Sequence, residues 1–375
     1  MDAGVPGAGV RRLMVTDFRS YTSAVLESGI GPIVLTGPNG AGKTNLLEAV
    51  SMLSPGRGLR RATLSEMVRN GAERWAIAAE AETVNGACSI GTGLNNDNGS
   101  ERRIARIDGE TVGPAALGGL LPVSWLTPQM DRLFLDGASA RRRFVDRLIF
   151  GFDPGHASRS NAYEKAMRER LRLLKDGRMD VAWLSALEAQ MAEHGVAIAA
   201  ARRAWSLRIG GALRQMTGPF PAAEIALQGV AEELLADRPA VQVEEDLATR
   251  WRDGRGLDRH AGRTTDGPHR SDLLVRHVAK DIPAEQCSTG EQKALLISLI
   301  LADARMQQAE RGVVPIMLLD EVAAHLDSAR RSALFDEISA LGGQAWLTGT
   351  DRELFAAFGT RAQYFGIDGS MVTPG

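Results

Sequence analysis

One eight-residue segment, GPNGAGKT, constrains the fold of this chain more than any other. It matches the pattern G-x-x-x-x-G-K-[ST], follows an apolar run at 33–36 and precedes a helical sequence at 45–50. This order predicts an α/β fold in which backbone N–H groups and a helix N-terminus surround phosphate groups. Lys43 is expected to reach the β and γ oxygens, and Thr44 to ligate Mg²⁺. The predicted phosphate-binding residues are Gly37, Pro38, Asn39, Gly40, Ala41, Gly42, Lys43 and Thr44.

A second segment, IMLLDE at 316–321, is typical of a buried strand that ends in two acids. Open α/β sheets bind ligands at the C-terminal edge of their strands. We therefore expect Asp320 to hold Mg²⁺ through its water shell and Glu321 to polarise the attacking water. Together the two segments predict nucleoside triphosphate binding with hydrolysis, and kinase, GTPase and transporter-type ATPase all remain open at this point.

The composition is that of a soluble globular protein, with 44% hydrophobic and 24% charged residues in 375. No apolar run approaches the about 20 residues of a membrane span, and MDAGVPGAGVRRL lacks an apolar signal core. We therefore expect a cytoplasmic protein without a membrane partner. Two cysteines provide no disulfide framework. Because 44 Lys and Arg face 46 Asp and Glu, only a local basic patch could hold a polyanion.

The sequence pattern changes along the chain. Short apolar runs between about 75 and 127, separated by NG, NNDNGS and DGE, predict a meander of antiparallel strands. From 128 to about 216 a near-heptad apolar stripe predicts helices, in a compact lobe rather than a long coiled coil. Residues 250–272 are predicted to form a mobile or ligand-facing loop, and an α/β pattern returns beyond 290.

The segment QCSTGEQK at 286–293 decides between the enzyme classes. Ser288 and Glu291 have the spacing of a helix capping box, which is the local structural interpretation. The same turn offers the Ser288 hydroxyl and the Gly290 amide to an anion at a helix start. The order of phosphate loop, distant Ser-x-Gly turn and Asp-Glu strand resembles that of the ABC ATPase superfamily. The sequence HLD, which ends at Asp327, resembles the D-loop of that superfamily.

Further segments make the resemblance specific: TDFRSYTS, LSPGRGLR, LTPQMDRLFLDGASARRRFVDRLI, TTDGPHRSDLL and CSTGEQKALL. Together they resemble the RecF family of bacterial recombinational repair proteins, over residues 11 to 350. The resemblance implies an α/β, ABC-type P-loop ATPase head with an inserted compact helical lobe. The implied parts are an N-terminal ATPase lobe at 1–130, a helical lobe ending in the signature at 131–294, and a C-terminal ATPase lobe at 295–375.

The resemblance also implies an activity and partners. The expected protein is a slow, DNA-stimulated ATPase with ATP and Mg²⁺ as cofactors, which dimerises on ATP. It would bind gapped duplex or single-strand/double-strand junctions, help RecO and RecR to load RecA, and support replication and the SOS response.

Single positions take their roles from the same resemblance. Gln129 stands at the Q-loop position, where it would contact Mg²⁺ and the attacking water. Ser288 and Gly290 belong to the signature, which closes over ATP bound to a second copy, and Asp327 belongs to the D-loop. Thr350 falls where many ABC ATPases have a switch histidine, which implies slow hydrolysis.

Two basic clusters are the candidate DNA contacts. One comprises Arg57, Arg60 and Arg61, and the other includes Arg141 and Arg142. Neutralising backbone phosphates through such patches gives weak sequence specificity and a steep salt dependence. Solvated helix faces also carry paired arginines, so a structural role stays open, and the second cluster could instead brace the Q-loop.

Two other functions stay open from the residues alone. A nucleotide-binding subunit of an ABC transporter would share the phosphate loop, signature and acidic strand. A structural SMC-like clamp would bind nucleotide with negligible turnover. Phosphate release in the presence of DNA distinguishes the clamp from the repair ATPase.

Overall fold

The computed structural model describes residues 8–95, 101–177 and 180–375. The N-terminal MDAGVPG and all but the first residue of the NNDNGS turn lie outside these ranges. Within them the chain forms two compact units. The first unit contains residues up to 131, 216–221 and 289–375, and the second contains 132–215 and 222–288.

The first unit contains an antiparallel sheet with strand order β2-β1-β4-β5-β6-β7. Strands β4 to β7 pair in chain order, and NG and DGE stand at two of the turns, so the predicted meander is confirmed up to Val112. The prediction is wrong at its end, because Val123–Leu126 joins a parallel sheet instead. The strands are β1 (Gly9–Phe18), β2 (Tyr21–Glu27), β4 (Ala76–Thr83), β5 (Gly86–Asn95), β6 (Arg102–Ile107) and β7 (Glu110–Val112).

The second sheet of the first unit has the order β15-β14-β3-β13-β12-β8. Its strands β14, β3, β13, β12 and β8 run parallel, so their C-terminal ends meet at one edge of the sheet. The strands are β3 (Pro32–Thr36), β8 (Val123–Leu126), β12 (Ile316–Leu319), β13 (Ala345–Gly349), β14 (Gln363–Asp368) and β15 (Met371–Pro374).

Helix α1 (Lys43–Ser51) contacts strands of both sheets, and its apolar side chains belong to one core with theirs. Buried Gln344 ties the sheets together, because its side-chain amide exchanges hydrogen bonds with the backbone N–H and C=O of Val10 at 2.9 and 2.8 Å. Helices α8 (Thr289–Arg311) and α9 (Ser328–Leu341) pack on each other, and α8 also contacts β8. Gln344 directly precedes β13, so this tie lies at the edge of the parallel sheet where its strands begin.

The second unit combines helices with a small antiparallel sheet of order β11-β10-β9, which the sequence analysis did not predict. Its helices pack around a core that includes Tyr163 and Trp251. The elements are α2 (Ala138–Phe150), α3 (His156–Lys175), α4 (Val181–Arg214), β9 (Ala223–Gln228), α5 (Val230–Asp237), α6 (Ala240–Asp253), α7 (Arg255–Ala261), β10 (Asp272–His277) and β11 (Ile282–Pro283).

The predicted loop at 250–272 is wrong over its first half, because α6 continues to Asp253 and α7 occupies Arg255–Ala261. Charged side chains hold these helices. Arg170 of α3 donates to Glu188 at 2.9 Å and to Asp258 at 2.6 Å, and Arg255 donates to Glu188 at 2.6 Å. All four are buried. Since each charge has an opposite partner, the network is satisfied although it is removed from water.

No helix within the described ranges is long and apolar enough to cross a membrane.

Candidate functional site

The loop that joins β3 to α1 requires glycine at specific positions. Gly37, Gly40 and Gly42 have φ values of +151°, +80° and +111°, which side-chain-bearing residues rarely adopt. A Cβ on Gly37 would lie 2.0 Å from the carbonyl oxygen of Ile367, and one on Gly42 would lie 2.7 Å from the Tyr21 hydroxyl. The glycines therefore let the loop curve tightly before α1 begins at Lys43.

Lys43 lies across this loop. Its ammonium donates to the carbonyl oxygens of Gly37 at 2.6 Å and Pro38 at 2.8 Å, and the residue is 4% exposed. Burial lowers the pKa of Lys43, while the nearby charges of Glu321 and Asp320 act to raise it. The loop thus holds a cation beside backbone N–H groups at a helix start, which is the arrangement that binds phosphate.

Two hydroxyls fix the acid at the end of β12. The Thr44 hydroxyl donates to Asp320 Oδ1 at 2.9 Å, and the Thr348 hydroxyl donates to the same oxygen at 2.8 Å. Asp320 is 6% exposed. The sequence predicted that Thr44 and Asp320 meet at the metal ion, and it gave no signal for Thr348.

Glu321 has φ 54° and ψ 17°, a left-handed conformation that costs a non-glycine residue about 1–2 kcal/mol. Its backbone N–H donates to the Thr348 hydroxyl at 2.9 Å. Such outliers persist only where neighbouring contacts hold them, and they are concentrated at functional sites. The chain turns sharply here, directly after the buried strand.

The Thr44 and Asp320 oxygens fit a magnesium ion. Mg²⁺ takes oxygen ligands at about 2.0–2.1 Å in octahedral geometry, so adjacent ligands lie about 2.9 Å apart. The observed separation of Thr44 Oγ1 and Asp320 Oδ1 is 2.9 Å. Within the described ranges no group of three or more His, Cys, Asp or Glu side chains could hold a metal ion.

Gln129 and Thr350 come shortly after β8 and β13, the two strands that lie on either side of β12. Gln129 lies in a short 3₁₀ turn, Pro128–Arg132, after β8, and Thr350 directly follows β13. Both are exposed. The strand order therefore brings the phosphate loop, Asp320, Gln129 and Thr350 to one edge, while the catalytic roles of Gln129 and Thr350 stay predictions.

The signature segment lies at a helix start. Ser288 immediately precedes α8, and Gly290 lies in its first turn with both residues exposed. A Cβ on Gly290 would lie 3.6 Å from the Arg330 guanidinium of α9. Asp327 caps the N-terminus of α9, since its carboxylate accepts from the backbone N–H of Arg330 at 2.8 Å. Asp327 thus has a local structural contact in addition to its predicted D-loop role.

The first basic cluster, Arg57, Arg60 and Arg61, lies in the loop that follows α1. Arg57 and Arg61 are exposed, whereas the Arg60 guanidinium donates to Glu48 at 3.0 Å and to Asn45 at 2.7 Å. Glu48 is fully buried in α1. Arg60 therefore links this loop to the helix that begins at the phosphate loop.

Arg103 anchors the same loop. It donates to the carbonyl oxygens of Met52, Ser54 and Gly56 and to the Thr92 hydroxyl. Burial lowers the pKa of Arg103 to about 10. These carbonyls follow the C-terminus of α1, where a cation is favoured by the helix dipole.

Arg141 and Arg142 of the second basic cluster make contacts within the second unit. Arg141 forms a bidentate pair with Asp272 at 2.7 and 2.8 Å and also donates to backbone carbonyls, including that of Asp136. Arg142 donates to the Ser271 carbonyl at 2.5 Å. These satisfied contacts favour bracing over phosphate binding, and the DNA-contact role of both residues stays a prediction.

Comparisons with known proteins identify the family. The family model described as RecF/RecN/SMC N terminal domain matches residues 9–364. A protein of Agrobacterium fabrum named DNA replication and repair protein RecF is 50% identical over 367 residues, or 96% of this chain and 97% of its own length. This chain belongs to the RecF family. A protein of the same name from Brucella suis biovar 1 is 50% identical over 369 residues, covering 97% of this chain and 96% of its own.

Solved structures of RecF and of an Smc head domain share the fold of this chain. One described as the recombination mediator protein RecF-ATP in the RecFOR pathway superimposes with a TM-score of 0.85 at 22% identity, over 100% of this chain and 99% of its own. An Smc head domain from Pyrococcus furiosus gives a TM-score of 0.54 at 16% identity, over 98% of this chain and 95% of its own. The α/β ATPase-head fold and the RecF resemblance predicted from the motifs are confirmed.

Proposed function

We propose that this RecF-family chain is an ATPase of recombinational DNA repair, whose ATP-bound form dimerises and binds gapped or junction DNA. The observation that carries the proposal is the hydrogen bond between Thr44 and Asp320. It places the phosphate loop and the acidic strand at one sheet edge, with Lys43 beside them. Family membership and the relatives' name, DNA replication and repair protein, support the biological setting.

ATP would bind with its β and γ phosphates in the loop at 37–44. Lys43 would exchange its two carbonyl contacts for phosphate oxygens, and the backbone N–H groups would donate to the same anion. The loop is already curved, so binding needs little rearrangement. This preorganisation favours tight nucleotide binding.

Thr44, Asp320 and Gln129 are the residues that would hold Mg²⁺, which when bound offsets charge on the β and γ oxygens. Glu321 would orient and polarise the attacking water as a general base. Thr350 provides no imidazole for the γ-phosphate, so hydrolysis would be slow. ATP would then act as a timer of the bound state more than as fuel.

Dimerisation would complete the site. Ser288 and Gly290 of one copy would close over ATP bound to the other, with Asp327 beside them. Exposure of Ser288 and Gly290 leaves their turn accessible to a second molecule. The two predicted roles of Ser288 are compatible, because a capping hydroxyl accepts from a backbone N–H and keeps its own proton to donate to a phosphate oxygen.

DNA would contact the ATP-bound dimer mainly through phosphates, with Arg57 and Arg61 as the first candidates and Arg60 behind them. The term RecFOR pathway, used for the solved RecF, supports RecO and RecR as partners in loading RecA. Such a protein would work in the cytoplasm. The transporter alternative is set aside, since the relatives named above are all RecF.

DNA binding and phosphate release test the proposal together. Gapped duplex should bind more tightly with ATP than with ADP, and affinity should fall steeply with salt. Glu321→Gln should keep ATP-dependent DNA binding and lose turnover, whereas Lys43→Ala should lose both. Equal DNA affinity with ATP, with ADP and without nucleotide would contradict the proposal. Full DNA binding with turnover at background would favour the SMC-like clamp.

A further inference from the structure

We propose that Thr348 is a positioning residue for ATP hydrolysis, which sets the side chain of Asp320 and the backbone of Glu321 through one hydroxyl. The inference rests on the proposed ATPase function. Thr348 lies in β13, outside the phosphate loop at 37–44. Two hydrogen bonds of the Thr348 hydroxyl carry the inference, one to Asp320 and one from the Glu321 backbone N–H.

Thr348 lies inside β13, between β3 and β12. Every residue of β13 is buried, and Thr348 is 1% exposed. A valine would have the same shape and similar strand propensity at such a position. The strand itself therefore does not require the hydroxyl group, and the cost of burying it is offset because it donates one hydrogen bond and accepts another.

The direction of both bonds follows from the chemistry of the groups. The carboxylate of Asp320 can only accept, so the single Thr348 proton is donated to Oδ1 at 2.8 Å. The backbone N–H of Glu321 can only donate, so it donates to a lone pair of Thr348 Oγ1 at 2.9 Å. One oxygen atom thus connects the two acids that the proposed reaction uses.

The two bonds have different consequences. The bond from Glu321 holds a left-handed backbone that a non-glycine residue otherwise avoids, and this backbone sets the direction in which the Glu321 side chain leaves the chain. The bond to Asp320 holds Oδ1 together with Thr44. If the Thr44 hydroxyl turns to Mg²⁺, Thr348 still holds the carboxylate in place. Thr348 would therefore keep the two acids aligned while the Thr44 hydroxyl is bound to the metal ion.

A pair of substitutions separates the hydroxyl from the rest of the side chain. Thr348→Val keeps the branched shape and removes both hydrogen bonds, whereas Thr348→Ser keeps the hydroxyl. Ser124→Ala is the matched control. Ser124 is a buried residue of the same sheet, in β8, and its hydroxyl has no hydrogen-bond partner within the described part of the chain. Thermal unfolding checks that each variant is folded.

ATP hydrolysis gives the first readout. Thr348→Val should lower kcat at least about tenfold with KM changed by less than about threefold, because alignment for proton transfer is lost while phosphate binding is kept. Thr348→Ser should restore kcat to within about threefold of the unsubstituted protein, and Ser124→Ala should leave it unchanged. A valine variant with full kcat, or a serine variant as slow as valine, would overturn the proposal.

Hydrogen exchange at the Glu321 amide gives a second readout that needs no activity. Exchange should be at least about tenfold faster in Thr348→Val than in Thr348→Ser, with the serine variant close to the unsubstituted protein. Equal protection in all three would overturn the positioning role. If the unsubstituted chain releases no more phosphate than Lys43→Ala, the proposed ATPase function fails, and the amide comparison still decides whether Thr348 holds Glu321.

Discussion

The hydroxyl of Thr44 lies 2.9 Å from the carboxylate of Asp320, although 276 positions separate the two residues in the chain. One follows β3 and the other follows β12, and β13 lies between these strands. The contact therefore depends on the strand order of the whole parallel sheet. It joins the phosphate loop to the acid expected to hold Mg²⁺.

Replacing Asp320 by Asn tests whether its charge is needed. Asn keeps an oxygen that can accept from Thr44 and Thr348, so the free energy of unfolding should change by no more than about 1 kcal/mol. ATP hydrolysis should fall at least about 100-fold, because a neutral amide attracts Mg²⁺ and its bound water less strongly than a carboxylate does. Phosphate release and thermal unfolding measure the two effects. An Asn variant with half of the original rate would show that the charge of Asp320 is not needed to hold the metal ion.

Two glycines of the phosphate loop should respond differently to substitution by alanine. Gly37 and Gly40 both have positive φ, but only the Cβ at Gly37 meets a fixed atom, the Ile367 carbonyl oxygen at 2.0 Å. Gly40→Ala should cost about 1–2 kcal/mol of unfolding free energy from backbone strain alone. Gly37→Ala should cost at least about 3 kcal/mol, because β14 must also move. Denaturant unfolding of the two variants measures the difference, and equal losses would show that the close approach to Ile367 is unimportant.

Substitutions in the two basic clusters should have different effects: Arg141→Ala should lower stability, whereas Arg57→Ala should weaken DNA binding. Loss of the Arg141 pair with Asp272 should destabilise the protein by about 2–3 kcal/mol, since it leaves a half-buried carboxylate without its partner. The DNA affinity of the Arg141→Ala protein that remains folded should change little. Arg57→Ala should leave stability unchanged and lower the salt slope of DNA binding by about 0.9. The opposite pattern would assign the DNA contact to Arg141.

Stability of the second unit should decrease in mild acid because of His269. Its Nε2–H donates to the Thr264 carbonyl at 2.9 Å, and its Nδ1 lies 2.7 Å from the Tyr163 hydroxyl, which donates to it while the ring is neutral. Burial lowers the pKa of His269 to about 4, with Arg142 and Arg270 adding to the effect and the Thr264 hydrogen bond opposing it.

In the unfolded chain the pKa of His269 returns to about 6.5. Between about pH 6.5 and 4 the unfolded state therefore binds a proton that the native state does not, so stability falls as the pH is lowered. The loss attributable to His269 should be on the order of 2–3 kcal/mol at pH 4. Unfolding across this range, compared with His269→Gln, measures it. If the unfolding free energy of both proteins falls equally between about pH 6.5 and 4, His269 is not a buried, neutral ring.

The nucleotide site was predictable because its signals are local. The glycines, Lys43 and Thr44 follow one another in the chain, and the acids directly end an apolar strand. The position of Thr348 between the two acids was not predicted, because a threonine at the end of an apolar run is also an ordinary strand residue. Its function depends on which strand lies beside β13, and that information is not local.

The helical unit was predicted less well, for a different physical reason. The apolar stripe predicted helices in a compact lobe but not their lengths, and α4 is 34 residues long and ends at Arg214. Around 250–261 the inward-facing side chains include Arg255 and Asp258, which are buried in ion pairs with Glu188 and Arg170. A helix whose buried face is charged has no hydrophobic periodicity, so the sequence indicates a loop.

Sedimentation of the full chain with and without ATP tests the central claim most directly, because the proposed site is completed only by a second copy. Glu321→Gln, which should retain bound ATP, is expected to sediment as a dimer with Mg²⁺ and ATP and as a monomer without nucleotide. Adding Ser288→Arg should abolish the dimer while ATP still binds. A Ser288→Arg protein that dimerises normally, or a Glu321→Gln protein that binds ATP and stays monomeric, would contradict the account.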